Sequence, residues 1–190
     1  PVLPPKVSLS AGTYRFGMSH VAQANGFYCG PATAQMILAR LGYTHSQHGV
    51  PLSQYNLADT RYLETNDYGR TKFVYQKMSK GLNAWMGKNS YVQQPSPSTA
   101  QFRSAVSNSF LKTGRPVVVD TQEYAGGAHY NGHPAYSTFS HLLPVEGYNP
   151  STDTLTLLDS ASHFYANSRP SFTHNLAHFN GFLQHFGIYY

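Results

Sequence analysis

The chain of 190 residues is long enough to form one domain with a hydrophobic core. Lys and Arg total 13 and Asp and Glu total 8, a net charge of +5 with neutral histidines, and the basic residues form no cluster of the kind that binds nucleic acid. No long apolar run predicts membrane insertion, and a single cysteine excludes an intramolecular disulfide.

The amino-acid composition favours a secreted protein. Charged residues make up only 11% of the chain, while tyrosines and glycines are frequent, which is typical of secreted proteins. The chain opens Pro-Val-Leu-Pro-Pro without Met, which we interpret as a processed mature form from which a signal, a pro-segment or both were removed. We therefore expect an extracellular, monomeric protein.

Apolar residues at helical spacing predict four helices, over residues 31–41, 53 to about 64, 73–86 and 98 to about 114. Gly42 stands where a glycine ends the first helix. Ser53 is an expected N-cap, Ser98 and Gln101 form a capping-box pattern, and Gly81 weakens the third helix.

Strand patterns dominate after residue 115. Strands are predicted over residues 14–18, 116–120, 139–148, 154–158 and 188–190. The other expected segments are an extended, proline-stiffened start at residues 1–10, loops at 42–51, 88–97 and 121–138, a turn at 149–153 and a helix at 172–185. Helices followed by antiparallel strands indicate an α+β fold.

The only cysteine, Cys29, is followed by Gly30, Pro31 and the small and aliphatic residues of the first predicted helix. Proline is favoured in the first turn of a helix, so this order predicts Cys29 at a helix N-terminus. The unpaired N–H groups and the helix dipole there favour an anion, and the thiolate is the reactive form of cysteine. Gln23 lies six residues earlier, with Gly26 allowing a turn between them, so its amide is a candidate oxyanion donor.

The segment around Cys29 resembles the active-site opening of papain-like cysteine peptidases. Its Cys-Gly-Pro-Ala form is most similar to the bacteriocin-processing, double-glycine-leader peptidases and their secreted bacterial relatives; the Gly-Ser-Cys-Trp of papain is absent. The resemblance implies a papain-like α+β fold in a single domain, residues 1–190. A helical part, about 20–114, would carry the cysteine helix and pack against an antiparallel sheet in residues 115–190.

A cysteine nucleophile needs a base, which is usually a histidine because its pKa lies near neutrality. Among ten histidines we prefer His141, which lies early in a predicted strand and would be held rigidly. The segment from His141 to Tyr148 resembles the family's His-x-x-x-Val-x-Gly-Tyr strand. The family's third catalytic residue is an Asp at the end of the next strand, here Asp159. A hairpin with its turn midway between them would bring Asp159 level with His141.

Two positions depart from the family pattern. Ser160 follows Asp159 where the family often has Pro, and Pro144 interrupts the histidine strand, which indicates an edge position. Neither departure removes a catalytic atom. The candidate substrate-binding residues are Gly26, Tyr28, Tyr136 and Ser140.

Each catalytic candidate also has a purely structural interpretation. Cys29 could be a small buried apolar residue and His141 a hydrogen-bonded core histidine. Asp159 could be a turn residue, and Gln23 an ordinary exposed glutamine.

Some histidines have the spacing of metal ligands. His129 and His133 lie in a glycine-rich loop with Glu123 as the nearest carboxylate, and His174 and His178 are four residues apart. Two histidines do not complete a zinc site. We therefore expect no metal and no cofactor, and we expect the loop to lie over a cleft.

The resemblance implies a thiol hydrolase that cleaves peptide or protein amide bonds through Cys29, His141 and Asp159. A pro-segment or an inhibitor is a candidate partner, and no nucleic acid is expected. Two other hypotheses stay open at this point. The same site could transfer the acyl group to an amine or deamidate a side chain, as in an acyltransferase, a transglutaminase or a protein deamidase. Alternatively, a non-catalytic binding domain could have kept the fold.

Overall fold

A computed structural model of the chain describes residues 3–190, so the first two positions of the expected extended segment lie outside the described residues. The fold is α+β, as expected. The helices are α1 Cys29–Leu41, α2 Gln54–Leu57, α3 Thr65–Tyr68, α4 Lys77–Met86, α5 Thr99–Asn108 and α6 Leu176–Phe179. The strands are β1 Ser8–Ser10, β2 Thr13–Arg15, β3 Gln93–Pro95, β4 Val118–Glu123, β5 Phe139–Asn149, β6 Thr154–Leu158, β7 Ser171–Asn175 and β8 Gly187–Tyr189.

The strands form one antiparallel sheet in the order β1-β2-β5-β4-β8-β3, with β6 paired to β5 and β7 paired to β6. Three of its strands, β1, β2 and β3, come from the part of the chain before residue 115. Helix α1 packs against β5, where the Thr33 hydroxyl donates to the Leu142 carbonyl at 3.0 Å. Within residues 3–190, no helix is both long and apolar enough to cross a membrane.

The predicted signals at the ends of two helices are confirmed. Gly42 adopts the left-handed conformation at the end of α1, with φ of 93°. Ser98 and Gln101 form the expected capping box of α5. Helix α5 continues through a π-helical segment, Ser109–Thr113, to a left-handed Gly114. Local side-chain chemistry is therefore sufficient to set these boundaries.

The prediction of a long second helix is wrong, although Ser53 does cap α2 by accepting from the Asn56 N–H at 3.1 Å. Asp59 ends the helix because its carboxylate accepts from the Arg61 N–H at 3.0 Å. An aspartate that bonds the backbone two residues on favours a turn over a helix.

The third predicted helix begins later than expected, because the left-handed Gln76, with φ of 56°, immediately precedes α4. Gly81 has a packing role there. A Cβ at this position would lie 2.5 Å from the Leu63 side chain and 2.9 Å from the Tyr62 carbonyl. The glycine therefore allows a close approach that outweighs its low helix propensity.

The predicted helix over residues 172–185 is wrong in its first part and correct only for its second. Its first part is β7, which pairs along the whole of β6, and only α6 and a 3₁₀ turn, Asn180–Leu183, follow. Asn175 caps α6 by accepting from the His178 N–H at 3.0 Å. The loop predicted over residues 88–97 contains the short strand β3, and β4 continues to Glu123, beyond its predicted end.

The edge position that Pro144 indicated is confirmed locally, because residues 139–144 of β5 pair with β4 alone among the described strands. The strand pairs with β2, β4 and β6. Pro144 lies in the part that pairs with β4, and the pairing with β6 begins only at Val145. The missing N–H of the proline therefore interrupts no ladder bond to β6.

Candidate active site

Cys29 is the first residue of α1 and is half-buried. Its neighbour Gly30 lies against Thr71, and a Cβ at Gly30 would collide with the Thr71 side chain. Only glycine fits this close approach without displacing Thr71. This close approach fixes the start of α1, where the unpaired N–H groups of a first helical turn favour an anion.

His141 is 5% exposed on β5 and lies against the carboxylate that the sequence predicted for it. Its Nε2 atom is 2.9 Å from Oδ1 of Asp159, a fully buried residue just after β6. Contrary to the prediction from the sequence, the two residues are not level, because the β5–β6 pairing ends at Val145 and Leu157 and Asp159 lies beyond the last pair. The Asp159 side chain instead reaches His141 diagonally along the hairpin. Since Nε2 faces Asp159, Nδ1 is the ring nitrogen left for Cys29.

The hydrogen bonds of His141 and Asp159 determine which of the two side chains carries a proton. Burial by itself lowers the pKa of His141, but the hydrogen bonds to Asp159 and Cys29 outweigh it and raise the pKa to about 10. Burial by itself raises the pKa of Asp159, but the hydrogen bonds from His133 and His141 hold it well below the usual range. The geometry therefore favours an imidazolium at His141 beside a carboxylate.

The second oxygen of Asp159 has partners that the sequence did not predict. Oδ2 is 2.9 Å from Nε2 of His133 and accepts from the Asn131 side-chain amide at 2.7 Å. The other ring nitrogen of His133 is 2.6 Å from Glu123. The one signal in the sequence was the proximity of Glu123 to His129 and His133 along the chain, since a carboxylate next to a histidine favours the charged form of the ring.

Gln23 is 4% exposed and is held on both sides. Its side-chain oxygen accepts from the Ser160 hydroxyl at 3.0 Å, and its amide nitrogen donates to the Asn25 carbonyl at 2.7 Å. The backbone N–H of Gln23 also donates to the Ser160 carbonyl at 2.9 Å. The amide has two N–H groups, so one of them stays available for a ligand. Ser160, the departure from the family pattern, thus orients Gln23.

A cavity of about 220 Å³ opens beside the sulfur. Its walls combine the predicted catalytic side chains with aromatic ones, and the lining residues are Gln23, Gly26, Cys29, His133, Phe139, Ser140, His141, Ala161, Phe164 and Tyr165. Asp159 lies behind His141 and does not reach the cavity surface. The arrangement can hold a carbonyl group near a sulfur, an imidazole and an amide donor.

The predicted substrate-binding residues divide into two groups. Gly26 and Ser140 line the cavity. Tyr28 does not, because its ring is 2% exposed and its hydroxyl donates to Asn66 at 2.6 Å. Tyr136 is 83% exposed and also lies outside the cavity lining.

The loop between β4 and β5 supplies structural bonds and part of the cavity wall. The ring of His129 lies 3.1 Å from the Gly127 carbonyl and 2.8 Å from the Ser137 carbonyl, so it ties the loop together. His133 reaches the cavity from the same loop. His174 lies on β7 and His178 on α6, so the helical spacing expected for them is wrong. No group of three or more potential ligands able to hold a metal ion is found in the described part of the chain.

The chain is similar to a known family and to a solved structure. The model of the Peptidase_C39 like family matches residues 17–186. The crystal structure of xylellain, a cysteine protease from Xylella fastidiosa, is similar with a TM-score of 0.42 and 12% sequence identity, over 99% of this chain and 85% of that chain. No curated protein matches the sequence.

Proposed function

The chain belongs to the peptidase C39-like family of cysteine peptidases, and we propose that it cleaves peptide bonds through a triad of Cys29, His141 and Asp159. One observation carries the proposal. The ring of His141 lies 2.9 Å from the Asp159 carboxylate, and His141 and Cys29 line one open cavity.

The first half of the reaction forms a thioester. Nδ1 of His141 holds the proton that Cys29 has given up, and the thiolate sulfur attacks the carbonyl carbon of the substrate. The free amide N–H of Gln23 and the backbone N–H of Cys29 bind the oxyanion that develops on the carbonyl oxygen. His141 then gives its proton to the leaving amine as the C–N bond breaks, and the acyl group stays on the sulfur.

The second half returns the enzyme to its starting state. A water molecule gives a proton to His141 and attacks the thioester carbon, and the C–S bond breaks to release a carboxylic acid. Asp159 accepts a hydrogen bond from Nε2 throughout, which keeps the ring in place and stabilises its charged form. The proposal includes the expectation of a secreted monomer that acts on peptide or protein substrates.

The experiment is to incubate the enzyme with a diverse peptide pool and analyse the products by mass spectrometry. We expect backbone cleavage by the wild type and none by Cys29→Ala, which keeps the helix start but lacks the sulfur. His48→Gln, at an exposed histidine, is the matched control and should cleave like the wild type. Full cleavage by Cys29→Ala overturns the proposal. Amine-linked products or deamidated side chains without cleavage overturn the assignment as a peptidase.

A further inference from the structure

A second histidine lies behind the proposed triad, between two carboxylates. His133 is 6% exposed, and its Nδ1 and Nε2 atoms are 2.6 Å from Glu123 and 2.9 Å from Asp159. Glu123 and Asp159 have almost no exposed surface, at 1% and 0%. The order Glu123–His133–Asp159–His141 is therefore one buried line of alternating acid and base that ends at Cys29.

The two bonds of His133 determine its charge. An ionised carboxylate only accepts hydrogen bonds, and a neutral imidazole has a single N–H. Both ring nitrogens face carboxylate oxygens, so two ionised carboxylates require a doubly protonated ring. Burial by itself lowers the pKa of His133, but the hydrogen bonds with Asp159 and Glu123 outweigh burial and raise it.

The loop between β4 and β5 is built to hold this ring. The second oxygen of Glu123 accepts from the Tyr130 N–H at 2.9 Å, and the Tyr130 hydroxyl lies 2.7 Å from Thr121. Asn131 adopts a left-handed conformation, with φ of 51°, and its side chain donates to Asp159. Asparagine tolerates that conformation better than most residues. Glu123 and His133 thus have fixed positions relative to Asp159.

We propose that Glu123 and His133 are positioning residues of the peptidase: His133, charged by its contact with Glu123, fixes the Asp159 carboxylate and lowers the affinity of His141 for its proton. The inference rests on the proposed function. The Asp159 carboxylate contacts both His133 and His141, so His133 acts on His141 through Asp159. The centroids of the two rings are 6.0 Å apart. Two like charges at that distance oppose each other. The pair therefore sets the upper end of the pH range in which His141 stays charged.

Other ionisable groups face this line, and the proposed variants leave them in place. Tyr130 and Tyr165 pack against the ring of His133 at centroid distances of 4.8 and 5.2 Å. Asp120 on β4 acts on His141 at longer range. Cys29 lies on the other side of His141.

The decisive variant is Glu123→Gln, which keeps the shape of the side chain and removes its charge. His133 then needs only one proton, donates it to Asp159 and becomes neutral. His141 loses a neighbouring positive charge, so we expect the alkaline limb of kcat/KM to move to higher pH by on the order of one unit, with KM changed less than about twofold.

The inference predicts a moved alkaline limb, and an unmoved limb would contradict it. If Glu123 carries the proton instead, Gln reproduces its neutral form and the alkaline limb stays in place. An unmoved limb in a folded, active Glu123→Gln enzyme overturns the inference. His133→Gln tests it a second time, because the glutamine can still donate to Asp159 but cannot be charged. We expect the same upward shift, whereas the matched His48→Gln should leave the profile unchanged.

If the variants do not fold, a measurement on the wild-type protein still tests the inference. Nitrogen-15 NMR of histidine-labelled protein near neutral pH should show both ring nitrogens of His133 protonated, with the signal assigned by its loss in His133→Gln or from its contacts with the Tyr130 ring. A single protonated nitrogen overturns the inference. The same spectrum distinguishes the failure of this inference from the failure of the proposed function. If the wild type cleaves no peptide but both nitrogens of His133 are protonated, His133 is charged as inferred and the proposed peptidase activity is refuted.

Discussion

Nε2 of His141 lies 2.9 Å from Oδ1 of Asp159, and the same oxygen accepts from the Ala161 N–H, also at 2.9 Å. The backbone just after β6 therefore holds the carboxylate in the orientation that meets the ring. His141 and Asp159 are 18 residues apart in the sequence, and the β5–β6 hairpin makes them neighbours.

Replacing Asp159 by Asn should reduce kcat/KM by roughly 10²–10⁴-fold, because the ring of His141 loses its anionic partner and its fixed orientation. An amide can turn its NH₂ group toward the ring, which would favour the wrong tautomer. Steady-state kinetics on a cleaved peptide measures the effect. Asp67→Asn, at an exposed aspartate, is the control and should have wild-type kinetics. Wild-type kcat/KM in Asp159→Asn would contradict the role proposed for this carboxylate.

Local patterns in the sequence, together with the resemblance to a peptidase family, were sufficient to predict the main residues of the candidate site. The order Cys29-Gly30-Pro31 indicates a helix start because proline favours the first turn. His141 and Asp159 are related by a single hairpin, whose turn residues are visible between two alternating strands. These signals span few residues and need no knowledge of distant packing.

The remaining features depend on contacts between distant parts of the chain. Phe172, Leu176, Phe179 and Leu183 have the apolar spacing of a helix, but pairing with β6 makes residues 171–175 a strand. His133 meets Asp159 across 26 residues through an irregular loop, a distance that no periodic pattern encodes. The same loop leaves Tyr136 exposed, because its fold is set by bonds such as that of His129 with the Ser137 carbonyl.

Ser160→Ala should lower kcat about fivefold with little change in KM, because the lost hydrogen bond to Gln23 is worth about 1 kcal/mol and frees the amide to rotate. Gln23→Ala should cost more, roughly 10²-fold in kcat, since it removes the oxyanion donor itself. The double variant is the control. Ser160 is proposed to act only through Gln23, so the double variant should be no slower than Gln23→Ala. Additive losses would show that Ser160 has a separate role.

Gly30→Ala should destabilise the protein by about 1–3 kcal/mol, because the added Cβ collides with Thr71 and this outweighs the better helix propensity of alanine. Urea unfolding followed by circular dichroism measures the change. Gly181→Ala is the matched control, since a Cβ there meets nothing within 4 Å and the stability should be unchanged or slightly higher. Equal stability of Gly30→Ala and the wild type would show that α1 can shift away from Thr71.

Asp120→Asn should stabilise the protein at alkaline pH and have little effect in mild acid. Burial raises the pKa of Asp120 to about 8, only partly opposed by Arg70 and by a hydrogen bond from Tyr189. A carboxyl whose pKa is higher in the folded than in the unfolded state contributes stability in full below the unfolded pKa, about 4, and loses it as pH rises toward 8. The variant has no such loss, so its advantage over the wild type should grow between pH 5 and pH 9 by about 4 kcal/mol, at roughly 1.4 kcal/mol for each pH unit from 5 to 8. Urea unfolding of both proteins at the two pH values measures the difference, and an advantage that does not change with pH would show that Asp120 is ionised throughout this range.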